Sequence, residues 1–291
     1  MSKVLLIGGN GYIGSRIHIN LKQEGHQVDV CDIKPCSDPN LASSHKFKIE
    51  MQKLSRSDIR PYEKIINLAA HSSVPQAESD PEGAIYNNIQ GLQHLLQCIE
   101  DQILIYASSG SVYNGSGHHA STESDLITPS RNIYDLTKSA GDQMAAFSNK
   151  KWIALRFGTV NGVSPKMRDE LIVNRMVKDS VEKGVLNLSN PQAFRGILAL
   201  DDLVEAVSKI TSREECETGI FNLGSFNYSI GEIASLISNQ LSSSIISLPP
   251  TPTYDFSLSS AKFINAYNFK FSSKFESLVD QLRIHYTKLL D

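Results

Sequence analysis

The chain has 291 residues, 41% of them hydrophobic, which is enough apolar material for one large domain or two smaller ones. Its formal net charge of −3, without a long basic run, argues against binding to nucleic acid or to an anionic membrane surface. Because no apolar segment approaches the roughly 20 residues that span a bilayer, and the first apolar run is too short for a signal peptide, we expect a cytoplasmic protein without a membrane partner.

Short apolar runs alternate with helical patterns through the first half of the chain. In order, the segments are VLLIG, residues 12–24, VDVCD, KIINLAA, residues 83–100 and QILIYAS. This alternation predicts a parallel sheet with helices on both faces, and such sheets bind ligands at their carboxyl edge. The helix at 83–100 has an apolar stripe that starts at Ile85 and is predicted to be buried.

A glycine-rich turn follows the first apolar run, in KVLLIGGNGYIG, with Gly8, Gly11 and Gly14. A strand, such a turn and a helix together bind a dinucleotide, because the helix offers free amides and a positive dipole end to the pyrophosphate. Asp32 closes the second apolar run, where an acceptor for ribose hydroxyls is needed, and its charge would repel a 2′-phosphate. The pattern predicts NAD rather than NADP; the alternative is a glycine turn without a ligand.

The pattern becomes less regular after Phe157, which indicates a smaller C-terminal lobe. The predicted elements are a helix at 170–184, the strand VLNL, a helix at 202–211, the strand GIFNLG returning to the first sheet, and helices at 230–241 and 275–290 around a proline-rich loop at 248–254. We therefore predict an α/β protein with two parts. Residues 1–158 and about 193–228 form a doubly wound parallel Rossmann sheet, and about 159–192 and 229–291 form a smaller α/β substrate lobe.

Tyr134 and Lys138 stand four residues apart in NIYDLTKSAGDQMAAF, so a helix places both side chains on one face. A free phenol has a pKa of about 10, but an adjacent ammonium and a positive nicotinamide ring both favour the phenolate, which makes Tyr134 a candidate base. Ser109, at the end of the strand QILIYASS, is a candidate hydroxyl partner for a substrate oxygen. Taken alone, a tyrosine and a lysine at this spacing are also common on structural helices.

The histidines and cysteines do not form a metal-binding pattern. His118 and His119, in NGSGHHAS, lack a third ligand at a useful spacing, and the four cysteines are not paired as metal ligands. We therefore expect no metal and free thiols.

Seven segments follow one another in the order and spacing of a known enzyme family. They are GGNGYIG, Asp32, NLAA at 67–70, YASSGSVY at 106–113, YDLTK at 134–138, LRFGTVNG at 155–162 and FRGILALDD at 194–202. In these segments the chain resembles the extended short-chain dehydrogenase/reductases of the nucleotide-sugar epimerase and dehydratase group. The resemblance runs from the first strand nearly to the C-terminus and implies NAD as cofactor and a nucleotide-sugar substrate.

The resemblance implies roles for individual residues in the cofactor and catalytic sites. The pyrophosphate would be held by Gly8, Gly11, Tyr12, Ile13 and Gly14. The cofactor cleft would be lined by Leu68, Ala69, Ala70 and Tyr106. Asp32 would hold the adenosine ribose, and Tyr134 and Lys138 would contact the nicotinamide ribose. Ser109 takes the catalytic serine or threonine position.

The expected substrate contacts are His71, Ser109, Thr159, Asn174 and Arg195. Asn174 and Arg195 match positions at which the family holds the nucleotide diphosphate, and a guanidinium suits a two-pronged phosphate contact. The alternatives are a helix-face role for Asn174 and a surface ion pair of Arg195 with Asp201 or Asp202. Thr159 stands where the family usually has an asparagine. His71 follows NLAA at the cleft and either touches a sugar hydroxyl or has a structural role.

The implied reaction is hydride transfer from a sugar carbon, usually the fourth, to NAD while Tyr134 removes the hydroxyl proton. Dehydratases of the group carry an Asp-Glu pair where this chain has Gly110 and Ser111, so dehydration is not expected. The segment AHSSVPQAESDP resembles a loop of 4-epimerases, which favours a 4-epimerase. A 4-dehydrogenase, a 4-keto reductase and a non-catalytic NAD sensor stay open as alternatives. The resemblance also implies a homodimer paired through helices at 83–100 and 134–149.

Overall fold

A seven-stranded parallel sheet lies at the centre of the computed structural model, which describes residues 1–36, 39 and 41–290. Its strands and those of the smaller sheets are β1 Lys3–Ile7, β2 Gln27–Cys31, β3 His45–Phe47, β4 Lys64–Asn67, β5 Ile103–Ser109, β6 Ala120–Ser121, β7 Lys151–Phe157, β8 Thr159–Asn161, β9 Val185–Leu188, β10 Phe194–Ala199, β11 Gly219–Leu223, β12 Phe226–Ser229, β13 Ser244–Ser247 and β14 Ser257–Leu258. The helices are α1 Tyr12–Gln23, α2 Arg56–Ile59, α3 Val74–Ser79, α4 Pro81–Ile85, α5 Gly91–Cys98, α6 Ile133–Ala146, α7 Ile172–Lys183, α8 Leu200–Thr211, α9 Ile230–Leu241, α10 Ala261–Tyr267 and α11 Phe275–Thr287. A π-helical turn, Tyr86–Gln90, joins α4 to α5, and short 3-10 turns cover Ala42–Ser44, Met51–Lys53 and Gly110–Tyr113.

The central sheet has the order β3-β2-β1-β4-β5-β7-β11, and every neighbouring pair is parallel. The strand order reverses between β1 and β4, so a crevice opens at the carboxyl ends of these two strands. The predicted doubly wound parallel sheet is confirmed, and GIFNLG joins it as β11. Sequence reasoning missed β3, because its three residues, HKF, are too few to show a period.

Helices cover both faces of this sheet because the strands bury apolar side chains on both sides. On one face, Ile17 of α1, Leu203 of α8 and Phe263 of α10 pack into a single core. On the other face, Leu95 of α5 and Ala145 of α6 belong to a second core. Helices therefore stabilise the sheet from both faces, and its carboxyl edge remains as the place for a ligand.

A third core lies in the C-terminal part of the chain. It joins Val173 of α7, Ile233 of α9 and Val279 of α11 to Leu186 of β9 and Ile197 of β10. Near it, β12, β10 and β8 form a three-stranded sheet, and β13 pairs with β9. Apart from Ile197, which the predicted division assigns to the nucleotide-binding part, the buried residues of this core lie in the proposed smaller lobe. Strand β10 therefore belongs to the three-stranded sheet and not to the central one.

A second segment also packs differently from that division. Phe263, Tyr267 and Phe269 belong to the core of the central sheet, although the sequence places 229–291 in the smaller lobe. Their rings contact one another and Phe221 of β11. We therefore propose the two-part division with residues 261–269 assigned to the central sheet.

The helix predicted at 83–100 starts at Pro81, and the π-helical turn interrupts it. A π-helical turn inserts an extra residue, so the buried stripe of α5 does not continue in phase through α4. Ile85 is accordingly 38% exposed, whereas Leu92 and Leu95 are buried. Within the described part of the chain, no helix combines the length and apolar character needed to cross a membrane.

Candidate active site

The glycine turn connects β1 to α1 at the crevice. Gly8 has a φ of +80°, a conformation that L side chains rarely adopt, and a Cβ there would lie 2.7 Å from the backbone nitrogen of Ala69. A Cβ on Gly14 would collide with the carbonyl oxygen of Gly8. Only glycine fits these two positions, because other backbone atoms lie close to the place that a Cβ would occupy.

Gly11 differs from both, because a Cβ there would meet only the Gly8 carbonyl oxygen, at 3.4 Å, among the described residues. Gly11 is also the N-cap of α1 and has no side-chain capping bond. The start of α1, with the amides of Tyr12 and Ile13, thus has no capping side chain, and the room beside the Gly11 α-carbon suits the approach of an anion. The Tyr12 side chain has a separate role, since its hydroxyl donates to the carbonyl oxygen of Gly162 at 2.8 Å and burial raises its pKa to about 12.

Asp32 follows β2 and lies beside the glycine turn. Its Oδ2 accepts from the Asn10 backbone N–H at 2.9 Å, and its Oδ1 accepts from the Lys34 N–H at 2.9 Å. These bonds hold the carboxylate in place, while the side chain stays half-buried. Each oxygen keeps a lone pair for a ribose hydroxyl.

The residues predicted to line the cofactor cleft lie together. Leu68, Ala69, Ala70, Tyr106 and Lys138 share one cleft at the ends of β4 and β5. Asn67, Asn88, Leu92, Ala107, Thr137 and Gly141 complete its wall. The structure thus brings the predicted cleft residues and the proposed catalytic lysine to a single place.

Tyr134 and Lys138 share one face of α6, as predicted, and the Lys138 Nζ lies 5.7 Å from the centre of the Tyr134 ring. The Nζ donates to the Ala107 carbonyl oxygen at 2.8 Å. Burial lowers the pKa of Lys138 to about 8, against the attraction of Asp142. Burial also raises the pKa of Tyr134, and hydrogen bonding to Ser109 opposes that rise. The expected lowering by the ammonium is therefore not seen in the protein alone, where desolvation of the phenol dominates.

A buried carboxylate next to Tyr134 was missed by sequence reasoning. Asp135 is buried, and Ser111 Oγ donates to its Oδ1 at 2.5 Å. The Tyr254 hydroxyl lies 3.0 Å from both of its oxygens, and Asn132 Nδ2 donates to Oδ2 at 2.7 Å. Burial raises the pKa of Asp135, and these donors oppose the rise. The Asn-x-x-Asp spacing at a helix start was the available signal, but it indicates only a helix cap.

Arg195 extends this network from β10. Its guanidinium lies 5.5 Å from the centre of the Tyr254 ring, and its Nη2 donates to Thr253 Oγ1 at 2.5 Å. Its Nη1 is buried and has no hydrogen-bond partner among the described residues. Burial lowers the pKa of Arg195 to about 10, so the group stays charged at neutral pH. A half-buried cation with one buried, unused donor fits an anionic ligand.

The alternative ion pair of Arg195 with Asp201 or Asp202 is not formed. Asp201 instead pairs with Arg16, with 2.6 Å between Nη2 and Oδ1. Asp202 accepts from Ser225 Oγ at 2.5 Å. Arg195 is therefore not neutralised by the carboxylates considered from the sequence.

Asn174 is fully buried, and its amide is occupied by the protein. Its Oδ1 accepts from the Gly162 N–H at 3.0 Å, and its Nδ2 donates to the Tyr12 hydroxyl at 3.3 Å and to the Arg168 carbonyl oxygen at 3.0 Å. Its observed role is to tie the loop after β8 to α1. A substrate contact through Asn174 stays a prediction without support, as does one through Thr159, which starts β8.

His71 is also held by protein groups. Its Nε2 lies 2.9 Å from Asp80 Oδ2, and its Nδ1 lies 3.1 Å from Asn87 Nδ2. Its backbone N–H donates to Asn88 Oδ1 at 2.8 Å, and Asn88 also donates to Thr137 Oγ1 at 2.9 Å. Both ring nitrogens have partners, so the observed contacts support the structural alternative for His71.

Comparisons with known proteins agree with this geometry. A profile described as "NAD dependent epimerase/dehydratase family" matches residues 4–224. Protein CapI of Staphylococcus aureus is 30% identical over 236 residues, which cover 72% of this chain and 70% of that protein. UDP-glucuronate 4-epimerase 6 of Arabidopsis thaliana is 24% identical over 278 residues, which cover 82% of this chain and only 60% of that longer protein. Among solved structures, the UDP-glucuronic acid 4-epimerase of Bacillus cereus, in complex with UDP-glucuronic acid and NAD, is similar with a TM-score of 0.82, 21% identity and 99% coverage of both chains.

Proposed function

Since the chain belongs to the NAD-dependent epimerase/dehydratase family, we propose that it is a 4-epimerase of a UDP-activated sugar. Membership confirms the predicted family and the predicted cofactor, NAD. One set of contacts carries the proposal: the glycine turn lies against Ala69, Ala69 and Lys138 line one cleft, and Tyr134 lies beside Lys138. UDP and inversion at C4 are proposed because relatives over most of the chain are UDP-sugar 4-epimerases.

The crevice fits NAD on the evidence of its own residues. The open space at Gly11, in front of the uncapped start of α1, suits the pyrophosphate, and Asp32 suits the adenosine ribose. NAD, when bound, accepts the hydride that leaves the sugar carbon. Tyr134 and Lys138 would lie against the nicotinamide ribose.

Tyr134 is the proposed base for the sugar hydroxyl. The Ser109 hydroxyl lies close enough to hydrogen-bond the phenol, and this bond favours the phenolate. The Lys138 ammonium lies 5.7 Å from the ring centre and also favours a negative charge there. The three side chains therefore form a base, an orienting hydroxyl and a cation.

Arg195 is the proposed contact for the diphosphate. Its buried Nη1 has no partner among the described residues, and a phosphate oxygen would supply one. Tyr254 supports the guanidinium from one side, with 5.5 Å between the guanidinium carbon and the ring centre. The proline-rich loop at 248–254, which carries Tyr254, thus positions this cation.

Epimerisation is favoured over dehydration by the residues after Ser109. Gly110 has no side chain, and Ser111 directs its hydroxyl to Asp135 at 2.5 Å. The site therefore lacks the Asp-Glu pair that would remove a second proton and expel water. A 4-dehydrogenase or 4-keto reductase remains the alternative, because it needs the same residues.

We also propose a homodimer that pairs through α4, α6 and the π-helical turn between α4 and α5. Four large apolar side chains are exposed there: Ile85, Tyr86, Leu136 and Phe147. Phe147 is 89% exposed, which is costly in water unless a partner covers it. A cytoplasmic location is proposed from the sequence and is tested by cell fractionation.

The proposal is tested with a panel of UDP-, GDP-, CDP- and dTDP-sugars in the presence of NAD. A 4-epimerase gives a new sugar by NMR without net NADH absorbance, whereas net NADH indicates a dehydrogenase. Tyr134→Phe is expected to lose turnover while still binding NAD in calorimetry. Tight NAD binding with no turnover of any sugar would favour the sensor.

A further inference from the structure

Asp135 places a carboxylate beside the residues proposed to contact the sugar. Its Oδ1 accepts from Ser111 Oγ at 2.5 Å, and Ser111 Oγ lies 2.8 Å from Ser109 Oγ. Asp135 Oδ1 and Ser109 Oγ are therefore separated by no more than the sum of these two distances. Asp135 also follows Tyr134 directly in α6. Burial raises the pKa of the Tyr134 phenol, and the charge of Asp135 raises it further.

The contacts of Asp135 fit its ionised form. Asn132 Nδ2 donates to Oδ2 at 2.7 Å, and the Tyr254 hydroxyl lies 3.0 Å from both oxygens. With Ser111, three donors surround a group that only accepts hydrogen bonds when it is ionised. Burial raises the pKa of Asp135, and these donors oppose the rise. All three are neutral side chains, so they stabilise the negative charge without cancelling it.

The cations near this site have other partners. Arg168 Nε donates to Glu170 Oε1 at 2.6 Å, and Lys138 Nζ donates to a backbone carbonyl oxygen at 2.8 Å. Arg195 is the proposed contact of the diphosphate. A second anionic group on the sugar would have to compete for these cations.

The two residues after Ser109 give a carboxylate no free hydroxyl hydrogen. Gly110 has no side chain, and a Cβ there would lie 2.7 Å from Leu258 Cδ1. Ser111 has a hydroxyl, but its hydrogen goes to Asp135. This part of the site therefore presents a negative charge rather than donors for an anion.

Activated sugars differ in the group attached to C5, the carbon next to the reacting C4. A hexose has a neutral CH2OH group there, and a uronic acid has a carboxylate. A C4 hydroxyl that contacts Tyr134 brings this group near Asp135. Two like charges about 8 Å apart, at an effective dielectric constant of about 20, repel enough to lower an affinity about 30-fold.

Building on the function proposed above, we propose that Asp135 excludes uronic acids, so that the enzyme acts on UDP-activated sugars whose C6 group is uncharged. The selection depends on charge alone, because a buried carboxylate repels a second one without touching it. It therefore acts on binding as well as on turnover. Asp135 is in this sense a specificity-determining residue.

Four groups face Asp135 from the elements packed against it. They are Ser111 from the turn after β5, Asn132 from the cap of α6, Tyr254 from the loop before β14 and Tyr134 from its own helix. The nearest charged groups beyond them are Arg168, whose charge lowers the pKa of Tyr134, and Arg195, which lies against the Tyr254 ring. Both guanidiniums stay charged at and below pH 7. Protonation of Asp135 itself is therefore the change that would remove the repulsion.

Calorimetry on NAD-loaded Tyr134→Phe protein measures binding without turnover, with UDP, UDP-glucose and UDP-glucuronate as probes. At pH 7 we expect UDP-glucose to bind about 30-fold more tightly than UDP-glucuronate. Adding Asp135→Asn should reduce this ratio to within about threefold, with little change in the affinity for UDP.

Two controls separate charge from general damage. Ser111→Ala removes a hydrogen bond to Asp135 but keeps the charge, so the ratio should stay high. Asp101→Asn removes an exposed charge just before β5, at the opposite edge of the sheet, and should also leave the ratio unchanged.

A pH series on protein with Asp135 intact tests the same claim without that substitution. The ratio should fall as the pH is lowered from about 7 to about 4.5, because the raised pKa of Asp135 lets it lose its charge before a solvated carboxylate does. In Asp135→Asn the ratio should not vary with pH, which separates Asp135 from His71.

Equal affinity for the two sugars, or a ratio that neither Asp135→Asn nor low pH reduces, would overturn the selection. If the wild type inverts C4 of UDP-glucuronate and not of UDP-glucose, the 4-epimerase stands and the role of Asp135 is refuted. If UDP itself does not bind, the proposed function fails, and the selection fails with it.

Discussion

Replacing Lys138 with methionine should make the protein more stable and inactive. The lysine is buried, and burial lowers its pKa from 10.5 to about 8. At about 1.36 kcal/mol per pH unit, this lowering of the pKa corresponds to about 3 kcal/mol of destabilisation at pH 7. Methionine fills a similar volume but loses the 2.8 Å bond to the Ala107 carbonyl oxygen, which is worth about 1 kcal/mol. We therefore expect Lys138→Met to raise the free energy of unfolding by about 2 kcal/mol at pH 7.

The sign of the pH dependence gives a second check on the same change. Between pH 8 and 10.5 the unfolded chain still holds the Lys138 proton and the folded chain has released it. The wild type therefore becomes more stable as the pH rises through this window, and the variant lacks that gain. The advantage of Lys138→Met should shrink steadily and disappear by about pH 9.5.

Urea denaturation at pH 7 and at about pH 9.5 measures both effects, with unfolding followed by fluorescence. Lys209→Met is the control, because Lys209 is exposed on α8, and its free energy of unfolding should change by less than about 0.5 kcal/mol. The reasoning is refuted if Lys138→Met is no more stable than the wild type at pH 7. It is also refuted if the difference between them does not vary with pH.

Three other predictions follow from the cofactor turn, the buried charges and the exposed helix face. Gly11→Ala should leave the melting temperature nearly unchanged but weaken NAD binding in calorimetry. Gly14→Ala, whose Cβ collides with backbone atoms, should instead lower the melting temperature. Equal NAD affinity in Gly11→Ala and the wild type would contradict the assigned phosphate site. Arg156→Met leaves the carboxylate of Asp142, which is 1% exposed, without its 2.8 Å partner. The free energy of unfolding, measured by urea denaturation, should therefore fall by about 3–5 kcal/mol. A fall of less than about 1 kcal/mol would argue against the buried pair. The wild type should be a dimer by light scattering and Leu136→Glu a monomer; a monomeric wild type removes the proposed interface.

Patterns that are local in the chain were predictable, and contacts that are distant in the chain were not. The glycine turn and the pairing of Tyr134 with Lys138 follow from the spacing of neighbouring residues, and the structure places both as expected. Asp135 was missed, because its role depends on Ser111 and Tyr254, which are 24 and 119 residues away. The periodicity of a sequence does not indicate contacts between residues that lie this far apart in the chain.

Residue type alone does not show which polar groups of the predicted substrate site are already bonded within the protein. Asn174 and His71 carry suitable polar groups at suitable positions, but the fold has already used them, as their bonds to Gly162 and Asp80 show. Only the structure distinguishes Arg195 from these two residues, because it leaves the Arg195 Nη1 without a hydrogen-bond partner among the described residues. Whether a polar group is available to a ligand depends on its hydrogen-bond partners, and the sequence does not reveal them.

The most direct test of the proposed epimerase uses UDP-glucose and UDP-glucuronate labelled with deuterium at C4, incubated with NAD and followed by NMR. A 4-epimerase that takes and returns one hydride in a closed site should invert C4 of one of these sugars and keep the deuterium there. Tyr134→Phe should give no inversion under the same conditions. Inversion with loss of the deuterium, or equal inversion by Tyr134→Phe, would contradict the account.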